Sequence, residues 1–269
     1  MIAVVGHVEW VEFVVVDRVP PPGEIAFAHG DAFFAPGGGG AVPAVELARL
    51  AQAGGVAAAF FTSVGADALG ETTERELRAL GVEVHASRAA VPQRRAFTHL
   101  DARHERTITV VGERHVPLGA ESLPWHALRD AGAVLFTGGD AEALRHARAA
   151  RTLVGTVRSL AEHAETDVEV DFAIASAHDP AEMALLDRVR ARRILLTEGA
   201  DGGRYPGGRW KAAPLPGEPV DAYGCGDAFV AGLTYGLGTG RPLDEALAIG
   251  ARSGARALTL RGPYGGAPS

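Results

Sequence analysis

At 269 residues and 47% hydrophobic content, the chain can form one large α/β domain or two small ones and bury a sizeable core. A formal net charge of −7 with no long basic block argues against non-specific nucleic-acid binding. Cys225 is the only cysteine, Lys211 the only lysine and asparagine is absent, which excludes an intrachain disulfide and a cysteine-based zinc site.

In chain order, residues 2–5 read as a buried strand, and their lack of a basic n-region and long apolar h-region points to a cytoplasmic protein. No later apolar run approaches the length of a membrane span. Residues 12–34, with a turn at Pro20-Pro21-Pro22-Gly23, have the period-two character of an antiparallel ribbon. A helix is expected over 41–53 with Pro43 in its first turn, a strand over 57–61, and a helix over 68–80 ended by Gly81. Residues 95–116 read as a second ribbon with a turn at Gly112. Strands follow at 134–137, 153–156, 172–175 and 194–197, with helices at 181–190, 226–237 and 243–258. Apart from the ribbons, this alternation implies a mainly parallel sheet with helices on both faces, where ligands bind at the carboxyl edge of the strands.

The chemistry concentrates in Asp221-Ala222-Tyr223-Gly224-Cys225-Gly226-Asp227, just before an apolar helix. Small residues let successive amides converge at a helix N-terminus, where orphan donors and the dipole favour an anion. Asp227 would repel that anion, so its suitable use is to take a proton from a hydroxyl while the Gly224, Cys225 and Gly226 amides stabilise a transferring phosphoryl group. Asp227 can also cap the helix, although capping leaves Asp221 and the small turn residues unexplained. The glycines at 37–40 do not follow the first strand, as a dinucleotide fold requires, and the lone lysine lies far from them, which excludes a P-loop.

Pro36-Gly37-Gly38-Gly39-Gly40-Ala41, Gly65-Ala66-Asp67-Ala68-Leu69-Gly70, Thr197-Glu198-Gly199-Ala200-Asp201-Gly202 and the Asp221–Asp227 segment occur in an order that resembles the ribokinase-like (PfkB) carbohydrate kinases over almost the whole chain. The resemblance implies an α/β fold of three αβα layers with a small β-sheet lid. On this reading, residues 1–269 form one domain carrying lid segments at about 12–34 and 95–116. It also implies phosphorylation of a small sugar-like substrate with ATP and Mg²⁺. Gly38 and Gly39 would bring backbone to the polyol. Where the family commonly has Asn and Asp after the first strand, this chain has Glu9 and Val11, and the Lys and Asn of the typical glycine loop become Gly39 and Val42. Ribose itself is therefore a poor fit, and Glu9, Glu12 and Asp140 remain as hydroxyl acceptors.

Arg94 and Arg95 follow Gln93 at the lid entrance; in relatives that act on sugar phosphates an arginine near here grips the phosphate, while a solvated strand face is the commoner reading of such a pair. His99, His104 and His115 match no metal motif and read as surface histidines. The resemblance assigns the nucleotide to Thr197, Gly199, Ser253, Gly254 and Gly262. The family's Asn-x-x-Glu metal motif reads Ser176-Ala177-His178-Asp179 here, so Asp179 and Asp221 would order Mg²⁺ and its waters. Some relatives also bind K⁺ through carbonyls near the first Asp, here Asp221 and Tyr223. A homodimer through the lid is expected, with Phe13, Phe33, Phe34, Phe97 and Ile108 as its apolar face. The alternatives are a nucleoside kinase, which Trp10 and Val11 stacked over a base would favour, and a catalytically silent sugar-binding relative.

Overall fold

The computed structural model describes residues 1–103 and 105–265. Its strands in chain order are β1 (Ile2–Val5), β2 (Glu9–Val15), β3 (Phe33–Gly37), β4 (Ala58–Gly65), β5 (Glu83–Ala89), β6 (Arg95–Leu100), β7 (Arg106–Val111), β8 (Ala133–Phe136), β9 (Leu153–Thr156), β10 (Val170–Ser176), β11 (Ala191–Thr197), β12 (Gly203–Tyr205) and β13 (Gly208–Trp210). The helices are α1 (Gly38–Ala53), α2 (Ala68–Ala79), α3 (Ala141–Arg148), α4 (Val157–Ala161), α5 (Pro180–Met183), α6 (Cys225–Gly238) and α7 (Leu243–Leu258). Nine strands form one sheet in the order β13-β12-β11-β10-β9-β8-β1-β4-β5, parallel throughout except for the terminal β12–β13 hairpin.

The interior strand β1 shows why the sheet is covered on both faces. In β1, Ile2 and Val4 pack with Ala44 and Leu47 of α1 and Phe229 and Leu233 of α6, while Ala3 and Val5 pack with Leu144 of α3 and Leu160 of α4. Because side chains alternate along a strand, every residue of β1 and β8 is buried, and the sequence reads as an unbroken apolar run.

The expected helix over 181–190 is shorter: α5 has four residues, capped by Asp179, and a 3-10 turn over Leu186–Arg188 follows. Both expected antiparallel ribbons are present, β2 pairing with β3 and β6 with β7. A separate four-stranded sheet has the order β3-β2-β6-β7, and its central β2–β6 pairing is parallel, because the two strands come from distant segments rather than one hairpin. No strand occurs between Val15 and Phe33, and the lid strands extend the 12–34 segment in both directions, from Glu9 to Gly37.

Cross-strand register divides the expected apolar lid residues between two faces. Phe13 pairs with Phe33 and Thr98, and Thr98 with Ile108, whereas Glu12 pairs with Phe34 and Phe97. Phe13 and Phe33 are buried with Tyr223 in a separate apolar cluster, so they do not belong to an outward dimer face. Phe34 is exposed and stacks on Trp10 at 6.3 Å between ring centres.

The Gly65–Gly70 motif roots this sheet. A Cβ on Gly70 would lie 2.0 Å from the Gly65 carbonyl oxygen, so only glycine permits the approach. Asp67 accepts from the Gly70 and Gln93 amides, and the buried Gln93 side chain accepts from the Gly65 amide at 3.0 Å and donates to the Val8 carbonyl at 3.0 Å. No helix among the described residues is long and apolar enough to cross a membrane.

Candidate active site

The turn preceding α6 is built to expose amides. Gly224 has φ +76°, a left-handed conformation that glycine adopts without strain, and its carbonyl accepts the first helical bond from the Ala228 amide at 2.8 Å. The amides of Cys225, Gly226 and Asp227 precede that bond and have no intrahelical acceptor. A Cβ on Gly226 would meet nothing within 4 Å, so this rim borders open space. Asp227, in the first turn, accepts no side-chain or backbone hydrogen bond among the described residues. Burial pushes its carboxyl up to about 6, with the negative charge of Glu182 adding to the rise and Arg106 opposing it. Arg106 reaches over from β7 and donates to the Ala222 carbonyl at 3.1 Å.

Facing this turn is the glycine run. Gly38, at φ +87°, opens α1, and a Cβ on Gly39 would sit 3.9 Å from Oδ1 of Asp227. Both glycines lie against His7: a Cβ on Gly38 would be 3.1 Å from its Nε2, and one on Gly39 3.4 Å from its Cε1. The Gly40 amide donates to the His7 carbonyl at 3.1 Å. Burial, assisted by Arg114 and Arg94, lowers the His7 pKa to about 3, so the imidazole is neutral; its Nδ1 is buried without a hydrogen-bond partner. Glu9 lies 3.8 Å from His7 and pairs with Arg94 at 2.8 Å.

The expected substrate residues thus cluster, but Glu9 and Arg94 engage each other. Burial raises the Glu9 pKa against the pull of Arg94. His7 was not singled out from the sequence, and its signal was position alone: it follows the first strand, two residues before Glu9. His115, read as a surface residue, is buried, and His104 lies outside the described residues. Asp140 caps α3: its Oδ1 accepts from the amides of Ala143 and Gly119, both at 2.8 Å. That is a structural employment for a residue expected to bind hydroxyls.

The metal-side residues are also redistributed. Asp179 accepts from the Ala181 and Glu182 amides through Oδ1 and pairs with Arg158 through Oδ2. Glu182 takes the other side of Arg158 at 2.8 Å, and its charge, unlike that of Asp179, contributes to the Asp227 shift. Glu182 lies three residues beyond Asp179, outside the Ser176–Asp179 motif, and carries no local signal of its own in the sequence. Asp221 is 1% exposed and accepts from the Tyr223 amide at 2.8 Å and the Gly262 amide at 2.7 Å, so it clamps the turn to the C-terminal loop rather than pointing into the cleft. No three His, Cys, Asp or Glu side chains among the described residues form a metal-binding group.

On the nucleotide side, Thr197 ends β11 and donates to the Ala175 carbonyl at 3.3 Å, while Gly199, at φ +59°, opens the next turn. Ser253 and Gly254 lie on α7 where it crosses α6: a Cβ on Gly232 would be 2.8 Å from Ser253 Oγ, and one on Gly254 3.2 Å from the Cys225 carbonyl. Gly262 supports the turn through Asp221, and a Cβ there would be 2.6 Å from the Phe33 ring.

The family model for pfkB family carbohydrate kinases matches residues 1–168 and 163–269, and so spans the glycine run, the turn before α6 and Asp227. The chain belongs to this family. It is similar to fructoselysine 6-kinase of Escherichia coli strain K12, at 26% identity over 237 residues, covering 82% of this chain and 90% of that protein. It is also similar to acarbose 7(IV)-phosphotransferase of an Actinoplanes strain, at 42% identity over 89 residues, covering 31% of this chain and 30% of that protein. The fold matches Arabidopsis thaliana ribokinase, solved with ribose and ATP, at a TM-score of 0.74 and 19% identity over 99% of this chain and 95% of that one. The chain is therefore a carbohydrate kinase of ribokinase fold.

Proposed function

We propose that this kinase transfers the γ-phosphoryl group of ATP to a hydroxyl of a small sugar or sugar derivative, with Asp227 as general base. The observation that carries the reading is the position of Asp227: half-buried in the first turn of α6, whose leading amides precede the first helical bond, facing Gly39, with its carboxyl raised to about 6. A base with that affinity is ionised at neutral pH yet holds a proton better than an ordinary carboxylate. The acceptor oxygen forms a bond to the γ-phosphorus as the bond to the β-phosphate oxygen breaks. The acceptor proton passes to Asp227, and the amides of Cys225, Gly226 and Asp227 hold the charge on the moving group.

Glu9, His7 and the backbone at Gly38 and Gly39 orient the acceptor, and Arg94 fixes the carboxylate of Glu9. Thr197, Gly199, Ser253, Gly254 and Gly262 shape the nucleotide side. Hard carboxylate oxygens fit magnesium, which is commonly held by phosphates, waters and one or two carboxylates. Glu182 and Asp179 would hold its waters, and the ion would neutralise charge on the phosphates. The carboxylate of Asp221 already accepts amides, so K⁺ there would rely on backbone carbonyls. A homodimer through the outer lid face belongs to the same reading.

The nucleoside alternative loses half of its support. Trp10 alternates with the inward residues Glu9 and Val11, and so stacks on Phe34 outside the cleft instead of over a base. A silent sugar-binding protein has no use for a raised carboxyl at an anion site. The test is ADP release from Mg-ATP on a panel of sugars, sugar phosphates, sugar acids and nucleosides. Release with a carbohydrate member that disappears in Asp227→Asn supports the reading; activity confined to nucleosides, or full activity in Asp227→Asn, refutes it.

A further inference from the structure

Away from the Asp227 turn, the molecule carries a cavity of about 440 Å³ between the end of α1, the end of α6 and α7, which meets the proposed nucleotide side only at Ser253. Three guanidinium groups, from Arg49, Arg252 and Arg256, line it. The buried carboxylate of Glu46 accepts two bonds from Arg49, at 2.8 and 2.7 Å, and one from Arg256 at 3.3 Å. These bonds hold two guanidiniums in fixed orientations while leaving each with N–H groups unused. Arg252 is exposed and has no ion-pair partner among the described residues. Three cations against one carboxylate leave a local excess of two positive charges in a chain whose net charge is −7. Tyr235 and Ile249 supply an apolar floor. The tyrosine ring lies over Gly54, where a Cβ would come within 2.0 Å of its hydroxyl oxygen.

The geometry points to a second ligand site here, for a small phosphate-bearing anion. Preorganised guanidiniums match the charge and bidentate geometry of phosphate oxygens. The cavity has the size of a small-molecule pocket, and its floor suits the organic part of a phosphate ester. Its position ties it to catalysis. Arg252 and Arg256 project from the side of α7 roughly opposite Gly250 and Gly254, which pack against Phe229 and the Cys225 carbonyl. An occupant bridging α1 to α7 therefore bears on the helix pair that holds the anion-binding turn.

Calorimetric titration with pyrophosphate, inorganic phosphate and a hexose monophosphate, at physiological ionic strength, tests the site without any turnover. Arg252 has no ion-pair partner among the described residues to lose, so Arg252→Glu should fold normally; it should weaken binding at least about tenfold, and Arg252→Lys should restore most of it. The tighter of inorganic phosphate and the hexose phosphate identifies the source of the ligand. In crystals soaked with tungstate, density is expected between Arg49, Arg252 and Arg256, in addition to any at the Cys225–Asp227 amides. Equal binding by wild type and Arg252→Glu, or a single event abolished by ATP, overturns the proposal by placing the anion at the catalytic turn. The basal kinase assay is independent of this readout, so failure of either reading leaves the other standing.

Discussion

The Gly38 amide donates to the Tyr223 hydroxyl at 3.3 Å, a bond between residues 185 positions apart. It joins the glycine run at the start of α1 to the turn that precedes α6. A Cβ on Gly37 would lie 2.5 Å from the same hydroxyl, and the Tyr223 ring meets Phe13 of the lid edge-on at 4.9 Å. Tyr264 fixes the same strand end by donating to the Pro36 carbonyl at 2.8 Å. Tyr223→Phe removes the acceptor while keeping the ring. It should lower stability by about 1 kcal/mol, a fall of roughly 2–4 °C in Tm. Because the two loops lose their mutual register, kcat should fall more than the nucleotide KM rises. An unchanged kcat would remove this bond from the catalytic account.

Asp227 sets a pH dependence whose sign follows from its raised carboxyl. The proposed mechanism uses Asp227 in its ionised form, so kcat/KM should rise with pH through about 6 and then level off. Asp227→Asn should lower turnover about 10²–10⁴-fold with nucleotide binding largely retained. Stability should move the other way. The folded protein binds this proton more tightly than the unfolded chain, so ionised Asp227 destabilises the fold above about pH 6, and the penalty disappears below the ordinary carboxylate value of 3.8. Asp227→Asn should therefore be more stable than wild type at pH 8 by about 1–3 kcal/mol, and no more stable at pH 3.5. Chemical denaturation at the two pH values checks this. A variant of equal stability at both would mean that Asp227 is not held in a hostile environment.

The sequence was most legible where one local pattern decided the structure. Strand β9 and helix α7 fall at the expected residues, because each carries its periodicity within itself. The glycine run was equally plain, since a Cβ at Gly37 or Gly40 would collide with the Tyr223 hydroxyl or the His7 backbone. What escaped was pairwise. The parallel β2–β6 pairing joins residues about 85 positions apart and leaves no local signature. Whether Glu9 faces a substrate or Arg94 depends on the fold bringing β2 beside the lid entrance. The same holds for Asp140 and Asp179, whose carboxylates look identical in sequence whether they cap a helix or meet a ligand.

The Glu9–Arg94 pair allows structural and functional roles to be separated. Side-chain exposure is 10% for Glu9 and 18% for Arg94, so removing one partner strands a poorly solvated charge. Glu9→Gln should destabilise the protein by about 3 kcal/mol and raise the acceptor KM far more than the ATP KM. Adding Arg94→Met should restore much of the stability but not the acceptor KM. If the double variant recovered normal acceptor binding, Glu9 would only neutralise Arg94 and would not touch the substrate.

Cys225 reports on the turn at the start of α6. Burial, the charges of Asp221 and Asp227 and only partial relief from Arg106 push its thiol up to about 11, overriding the helix dipole that favours thiolate. Alkylation at pH 8 should be about 100-fold slower than for a free cysteine. Mg-ATP together with an acceptor should slow it further, because phosphate oxygens would cover the Cys225 amide. Cys225→Ala should retain most activity, as the proposed mechanism uses the backbone N–H and not the sulfur. Loss of turnover in a folded Cys225→Ala protein, or absence of ligand protection, would require another site for the phosphate.

The outer face of the lid predicts the oligomer. Register places Trp10 beside Pro36 and Arg95, Glu12 beside Phe34 and Phe97, and Arg95 beside Val111, so these residues form one continuous surface. Phe34 is 43% and Val111 38% exposed, Trp10 stacks on Phe34, and the Arg95 guanidinium lies 6.0 Å from the Phe97 ring centre. An apolar surface with a polar fringe suits a two-fold contact in which each copy offers the same patch. A stable dimer of this kind buries about 1,200–2,000 Å² in total, within reach of a four-stranded sheet face. Sedimentation at micromolar concentration should show a dimer. Phe34→Glu should convert it to monomer without unfolding it, because Phe34 points away from the Phe13–Phe33–Tyr223 cluster. The monomer should also bind the acceptor less tightly, since a lid braced by its partner holds Glu9 and Arg106 over the cleft at a smaller entropic cost. A monomeric wild-type protein, or a Phe34→Glu variant that remains dimeric, would place the contact elsewhere.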